Sequence, residues 1–247
     1  MIKISLLQRN KFVKKLRLVP AILCLFAAIA FTADPSLPQK HQARQIEGWS
    51  VRVDQRLLEG EQQAKGEKAL RLLQSKLVAI TTLVPEKPLA ELQKVTIQID
   101  LDYGKMRAMQ YHPSADWLKA NGYSEQLERC VHIPNIEGLL SRSSNRRMPL
   151  VVLHELAHAY HDQVLGFEDK RVMDAWKKFS ASGKYQSTLT YGGTMGKHYG
   201  LTDQKEFFAE MTEAYFGSND FYPFVGGELK QAEPEIYQLM EEIWGAL

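Results

Sequence analysis

The stretch from Pro149 to Gly166, PLVVLHELAHAYHDQVLG, constrains this chain more than any other. Pro149 suits a first helical position and Gly166 a C-terminal cap, so the segment reads as a helix of about four turns. Apolar residues from Leu150 to Leu165 wrap it almost completely, and a helix that is apolar all round is buried. Near its middle stand His154, Glu155 and His158. Residues four apart lie on one helix face, so His154 and His158 can present imidazole nitrogens to one point, with Glu155 beside them. Two histidines and a glutamate in an interior cost several kcal/mol unless each finds a partner. A bound cation with its water provides one, and the HExxH spacing is that of zinc-dependent hydrolases.

The first 30 residues read as a separate object. Lys3, Arg9, Lys11, Lys14, Lys15 and Arg17 form a basic region, Leu18 to Ala30 an apolar run, and Ala28-Ile29-Ala30 a small-x-small cleavage site. The run is short for a spanning helix, so the expectation is a removed export signal, with a secreted or periplasmic product and no membrane anchor. Cys24 follows Leu23, a poor context for lipid attachment. Of the 31 Lys and Arg that face 29 Asp and Glu, six lie in this segment, so the remainder balances 25 to 29 and is mildly acidic. No Lys/Arg cluster is interleaved with aromatics, and nucleic acid is not an expected partner. Only Cys130 remains, so no intrachain disulfide can form and the fold depends on its core.

Residues 31–45, with Pro35, Pro38 and many polar side chains, read as a flexible leader, and 46–247 as one domain. Trp49, Val51 and Val53 alternate with polar residues and predict a strand; Glu61 to Leu83 carries apolar residues at helical spacing. Val95 to Ile99 and Cys130 to Ile133 predict further strands, and Ser114 to Ala120 a short helix. Lys170 to Ser182, Asp203 to Phe216 and a segment opened by Pro234 that reaches Trp244 predict helices, with an irregular Gly-rich stretch from Tyr185 to Gly200. The expected class is α+β: a small N-terminal β-containing lobe and a mainly α C-terminal lobe around a metal cleft. Val131 to Ile133 is the candidate for an edge strand that pairs with an extended substrate, or else an ordinary internal strand.

A hydrolytic zinc site takes three protein ligands and keeps a fourth position for water. His161 is seven residues from His154, roughly 10.5 Å along the helix axis, too far for one ion to bridge both. The metzincin pattern fails, because it needs Gly and His where His161 and Val164 stand. Gly193 to Gly200 nearly matches the pattern of the aspartate-using zincins, but Gly196 occupies the ligand position. The helix from Asp203 carries Glu206, Glu210 and Glu213 on one face, which is either a source of ligands or a solvated row opposite Phe207, Phe208, Met211 and Tyr215.

His154-Glu155-x-x-His158, then Tyr199-Gly200-x-Thr202, then Glu206-Phe207-Phe208-Ala209-Glu210 resembles the catalytic domain of the lethal-factor-type zinc peptidases, including the seven-residue step from Tyr to Glu. The resemblance implies a zincin-like domain in which His154, His158 and Glu206 hold Zn²⁺. It further implies that Glu210 supports a ligand histidine and Tyr199 stabilises the transition state, with Glu155 as the general base of the expected reaction; replacing Glu213, on the same face, is expected to do little. Toxin partners and specificity do not carry over. The expected activity is hydrolysis of peptide or protein substrates outside the cytoplasm; the rival is a non-catalytic exported zinc-containing scaffold.

Overall fold

The computed structural model describes residues 37, 38 and 40–246, so the export-signal reading falls outside the described residues. The chain opens with strands β1 (His41–Ile46) and β2 (Trp49–Asp54), joined by a tight turn at Glu47 and Gly48 and paired antiparallel. The last third of the stretch read as a flexible leader, residues 41–45, is therefore strand. β1 gives little hydrophobic signal because its middle four residues are exposed; the ladder to β2 and the contact of His41 with Asp100 hold it.

Helices α1 (Gln63–Leu83) and α2 (Glu86–Leu92) then cross over to β3 (Thr96–Ile99), parallel to β2. α1 passes so close to the turn at Gln55–Leu57 that a Cβ on Gly66 would meet Leu57 O at 1.9 Å, which only glycine avoids. β4 (Gln110–His112), α3 (Ala115–Ala120) and β5 (Cys130–Ile133) follow, and the five strands run in the order β1-β2-β3-β5-β4. β5 lies between parallel β3 and antiparallel β4, buried at all four positions, so it is an internal strand and the edge is β4. Of the two readings of Val131 to Ile133, the internal strand is the one observed. β4 has three residues in an irregular stretch, too few to show a period of two.

Short helices α4 (Ile136–Leu140) and α5 (Arg142–Arg147) lead to α6 (Val151–Tyr160), the helix of the two close histidines. It opens two residues after Pro149, widens into a π turn at His161–Leu165 and stops at Gly166, where φ is +82°. α7 (Lys170–Ala181), the small hairpin β6 (Thr188–Leu189) and β7 (Met195–Gly196), then α8 (Gln204–Phe216), α9 (Gly226–Ala232) and α10 (Pro234–Trp244) complete the chain. The class is mixed α+β, with the strands of the main sheet first and the later part mainly helical.

One face of the sheet (Val51, Val53, Ile97, Ile99, Val131, Ile133) joins α1, α6, α8 and α10 in the main core. The other face carries Arg52, Gln98, Cys130 and His132 and meets a smaller cluster of Tyr103, Met106, Leu118 and Leu127. At the far end Trp244 stacks on Phe208, contacts Tyr160 and donates to Thr212 Oγ1 at 3.1 Å, fixing α10 against α8 and α6. Among the described residues no helix is long and apolar enough to cross a membrane.

Candidate metal centre

α6 and α8 pack side by side, and their contact builds the site. On α6 the rings of His154 and His158 lie 4.8 Å apart and nearly perpendicular. Asp203 caps α8, accepting from the backbone N–H groups of Lys205 and Glu206 at 2.9 Å, which sets the first turn in place. Glu206 Oε2 then stands 3.2 Å from His154 Nε2 and 3.4 Å from His158 Nε2. One ligand atom from each of these three residues lies within 4.8 Å of the others, a group that could hold a metal ion.

The other nitrogen of His154 decides what the group needs. His154 Nδ1 is 2.6 Å from Glu213 Oε1, so both ring nitrogens face carboxylates. A neutral imidazole has one N–H and one lone pair, and a lone pair aimed at a carboxylate is repelled. With both carboxylates ionised, the ring carries either two protons or one proton with a cation beside it. Burial by itself would lower its pKa, but the hydrogen bonds to Glu206 and Glu213 prevail and hold it well above the ordinary histidine value. Burial likewise opposes ionisation of Glu206, yet the two histidines drive its pKa far below the usual carboxylate range. The donor set, two imidazoles and one carboxylate, is that of a zinc site with a position left for water.

Glu155 sits beside this group, with 7 % of its surface exposed. Its Oε2 accepts the backbone N–H of Tyr111 in β4 at 2.8 Å. Burial raises its pKa, partly offset by His158 and His154. Tyr111 is itself anchored, its hydroxyl donating to Asp162 Oδ2 at 2.7 Å in the π turn. Tyr199, on the turn before α8, is 48 % exposed and lines the same cleft of about 780 Å³ as His154, Glu155, His158 and Glu206.

Of the glutamate row, Glu206 keeps 21 % of its side chain exposed and Glu210 and Glu213 only 1 %, so the row is not a solvated face. The histidine partner expected to be Glu210 is Glu213: Glu210 Oε1 stands 3.9 Å from His154 Nδ1, beyond hydrogen-bond range. Both lie on the face that α8 turns to α6, and only the crossing of the two helices selects between them. Glu210, buried beside Glu213, is held well above the ordinary carboxylate range by burial first and by that neighbour's charge. Lys76 of α1 donates to Pro149 O at 2.9 Å, and burial lowers its pKa, partly offset by the charge of Glu213.

The remaining candidates have other tasks. His161 is buried between Phe167 and Phe208 and does not reach the cluster. His198 Nδ1 accepts from Gly200 N–H at 3.0 Å, beneath Phe179, Tyr185 and Phe221. In comparisons with known proteins, no family model, curated protein or solved structure matches the chain.

Proposed function

We propose that the chain is an exported zinc-dependent endopeptidase with a zincin-like fold. The observation that supports this reading best is His154, held between two carboxylates and so in need of a positive charge, beside a buried Glu155 in an open cleft. His154 and His158 through Nε2 and Glu206 through a carboxylate oxygen are the groups that would hold zinc. Zinc bound there supplies a Lewis acid that makes a water acidic near neutral pH.

The protein's own residues account for the proton traffic. Glu155 Oε2 is engaged by Tyr111 N–H, so Oε1 is the oxygen that takes the proton of the attacking water and passes it to the leaving amine. A pKa raised by burial suits a carboxylate that must hold a proton between those two steps. Tyr199, on the wall of the same cleft, would donate its hydroxyl hydrogen to the carbonyl oxygen as it gains charge. β4, the sheet edge next to Glu155, is the strand beside which an extended peptide would lie.

The test is digestion of a mixed peptide library, with metal content measured on the same sample. Cleavage that stops on chelation and returns with zinc is the expected result. Zinc binding without cleavage would favour the scaffold role, and absence of both would end the metal reading. Export is checked by amino-terminal sequencing of protein recovered outside the cytoplasm, which is expected to begin after about residue 30.

A further inference from the structure

Glu206 and Glu213 stand two turns apart on α8, and between them they grip one imidazole by its two nitrogens. We propose that Glu213 is the positioning residue of the metal centre: it accepts the Nδ1–H of His154 and so fixes the ring in the tautomer and orientation that leave Nε2 free to ligate. The inference rests on the reading of His154 as a metal ligand and adds to it a residue seven positions beyond the glutamate of the same site.

Three observations carry it. The Nδ1 to Oε1 distance of 2.6 Å is that of a charge-assisted hydrogen bond, and both partners are almost wholly enclosed. A histidine that binds metal through one nitrogen needs its other N–H held, or the ring can turn and the ligand lone pair with it. Glu210, the nearer residue by sequence step, leaves its Oε2 without a partner among the described residues and stays 3.9 Å from the ring, so it cannot perform this task as placed. Lys76 adds to the arrangement, because it joins α1 to Pro149 at the entrance of α6 and brings positive charge toward Glu213.

The experiment measures Zn²⁺ and Co²⁺ affinity by competition with a chelator for the parent protein, Glu213→Gln and Glu210→Gln, with folding followed by circular dichroism. Glu213→Gln is expected to weaken metal binding about 10- to 100-fold, the usual effect of losing such a partner, and to alter the visible spectrum of the cobalt form. Glu210→Gln is expected to change both less. A second readout needs no variant: histidine-ring NMR of the zinc-loaded parent should show His154 protonated at Nδ1 and metallated at Nε2. Metallation at Nδ1, or a Glu213→Gln protein that binds both metals as tightly as the parent, overturns the inference while leaving the metal site standing. A parent protein that binds neither metal overturns the functional reading and this inference with it.

Discussion

Among the described residues, a cluster of histidine and carboxylate on the sheet at Asp100 and another between α6 and α8 at His154 differ in their proton balance. In the first, Asp100 receives His41 at 2.6 Å, His132 at 2.8 Å and the Gln98 amide at 2.8 Å, while His132 Nδ1 meets His112 Nε2 at 3.3 Å. With Asp100 ionised, one arrangement satisfies every contact: His41, His132 and His112 each carry their proton on Nε2, and His132 Nδ1 accepts. None of Gln98, Asp100, His112 or His132 leaves a buried side-chain nitrogen or oxygen unpartnered. In the second cluster Glu210 Oε2 and Glu213 Oε2 are buried without partners among the described residues, and His154 faces a carboxylate from each nitrogen. Burial of charge alone does not mark a ligand site. A deficit of positive charge and donors is what a bound cation would make good.

The largest expected effect tests what the second cluster is for. Glu155→Gln keeps all three candidate ligands and the hydrogen bond from Tyr111, so metal content should equal that of the parent. Loss of the general base should reduce turnover about 10²- to 10⁴-fold. Undiminished cleavage by this variant would remove Glu155 from the reaction.

Removing one carboxylate from each cluster sharpens the contrast. Glu206→Ala deletes a candidate ligand, and metal should be lost at concentrations that saturate the parent, with the metal-free fold little affected. Asp100→Asn should do the reverse: metal retained, but stability lowered by about 3 kcal/mol because an amide NH₂ replaces one carboxylate oxygen and turns a donor toward His41, or toward His132 and Gln98. Denaturant midpoints and metal analysis of both proteins give the two readings. If Asp100→Asn also released metal, the clusters would not be independent.

Acid separates them on a smaller scale. Burial first, and the neighbouring His132, hold the His112 pKa down at about 3, against 6.5 for the free side chain. Between those values the unfolded chain binds a proton that the folded chain refuses, so stability rises with pH. The contribution is whole above about pH 6.5 and is lost progressively as pH falls toward 3. His112→Gln should flatten the fall in denaturant midpoint over that window by up to one proton's worth of slope. An unchanged slope would mean that His112 is already protonated in the folded state.

Much of this was legible beforehand where local pattern decides the outcome. β5 and α10 have the limits that β-branched residues and Pro234 predict, and Asp203 caps α8. The HExxH spacing brought His154 and His158 forward as a pair, the family resemblance alone added Glu206 to them, and the fold brings the three together. Illegible were the features made by pairing and crossing. β1 is polar and exposed, β4 is three residues long, and neither would be a strand without its neighbour. The choice of Glu213 over Glu210 follows from the crossing of α6 and α8, which no periodicity encodes.

The smallest expected effect concerns the histidine that belongs to neither cluster. His161 shares the histidine-rich helix, yet it sits fully buried on the π turn with ring contacts at 5.3 Å to Phe167 and 4.9 Å to Phe208. Neither ring nitrogen has a partner among the described residues, and burial, with the His158 charge adding to it, pushes its pKa down to about 4. A neutral, unpartnered imidazole in an aromatic slot forgoes hydration without a hydrogen bond in return. Phenylalanine there removes that loss and adds slightly more volume, two opposing effects of about 1 kcal/mol each. His161→Phe should therefore shift the unfolding midpoint little, in the direction of higher stability if the slot can relax, and leave metal content and turnover unchanged. Loss of metal in this variant would contradict the geometry that keeps His161 out of the centre, because a ring that only packs has nothing to hold.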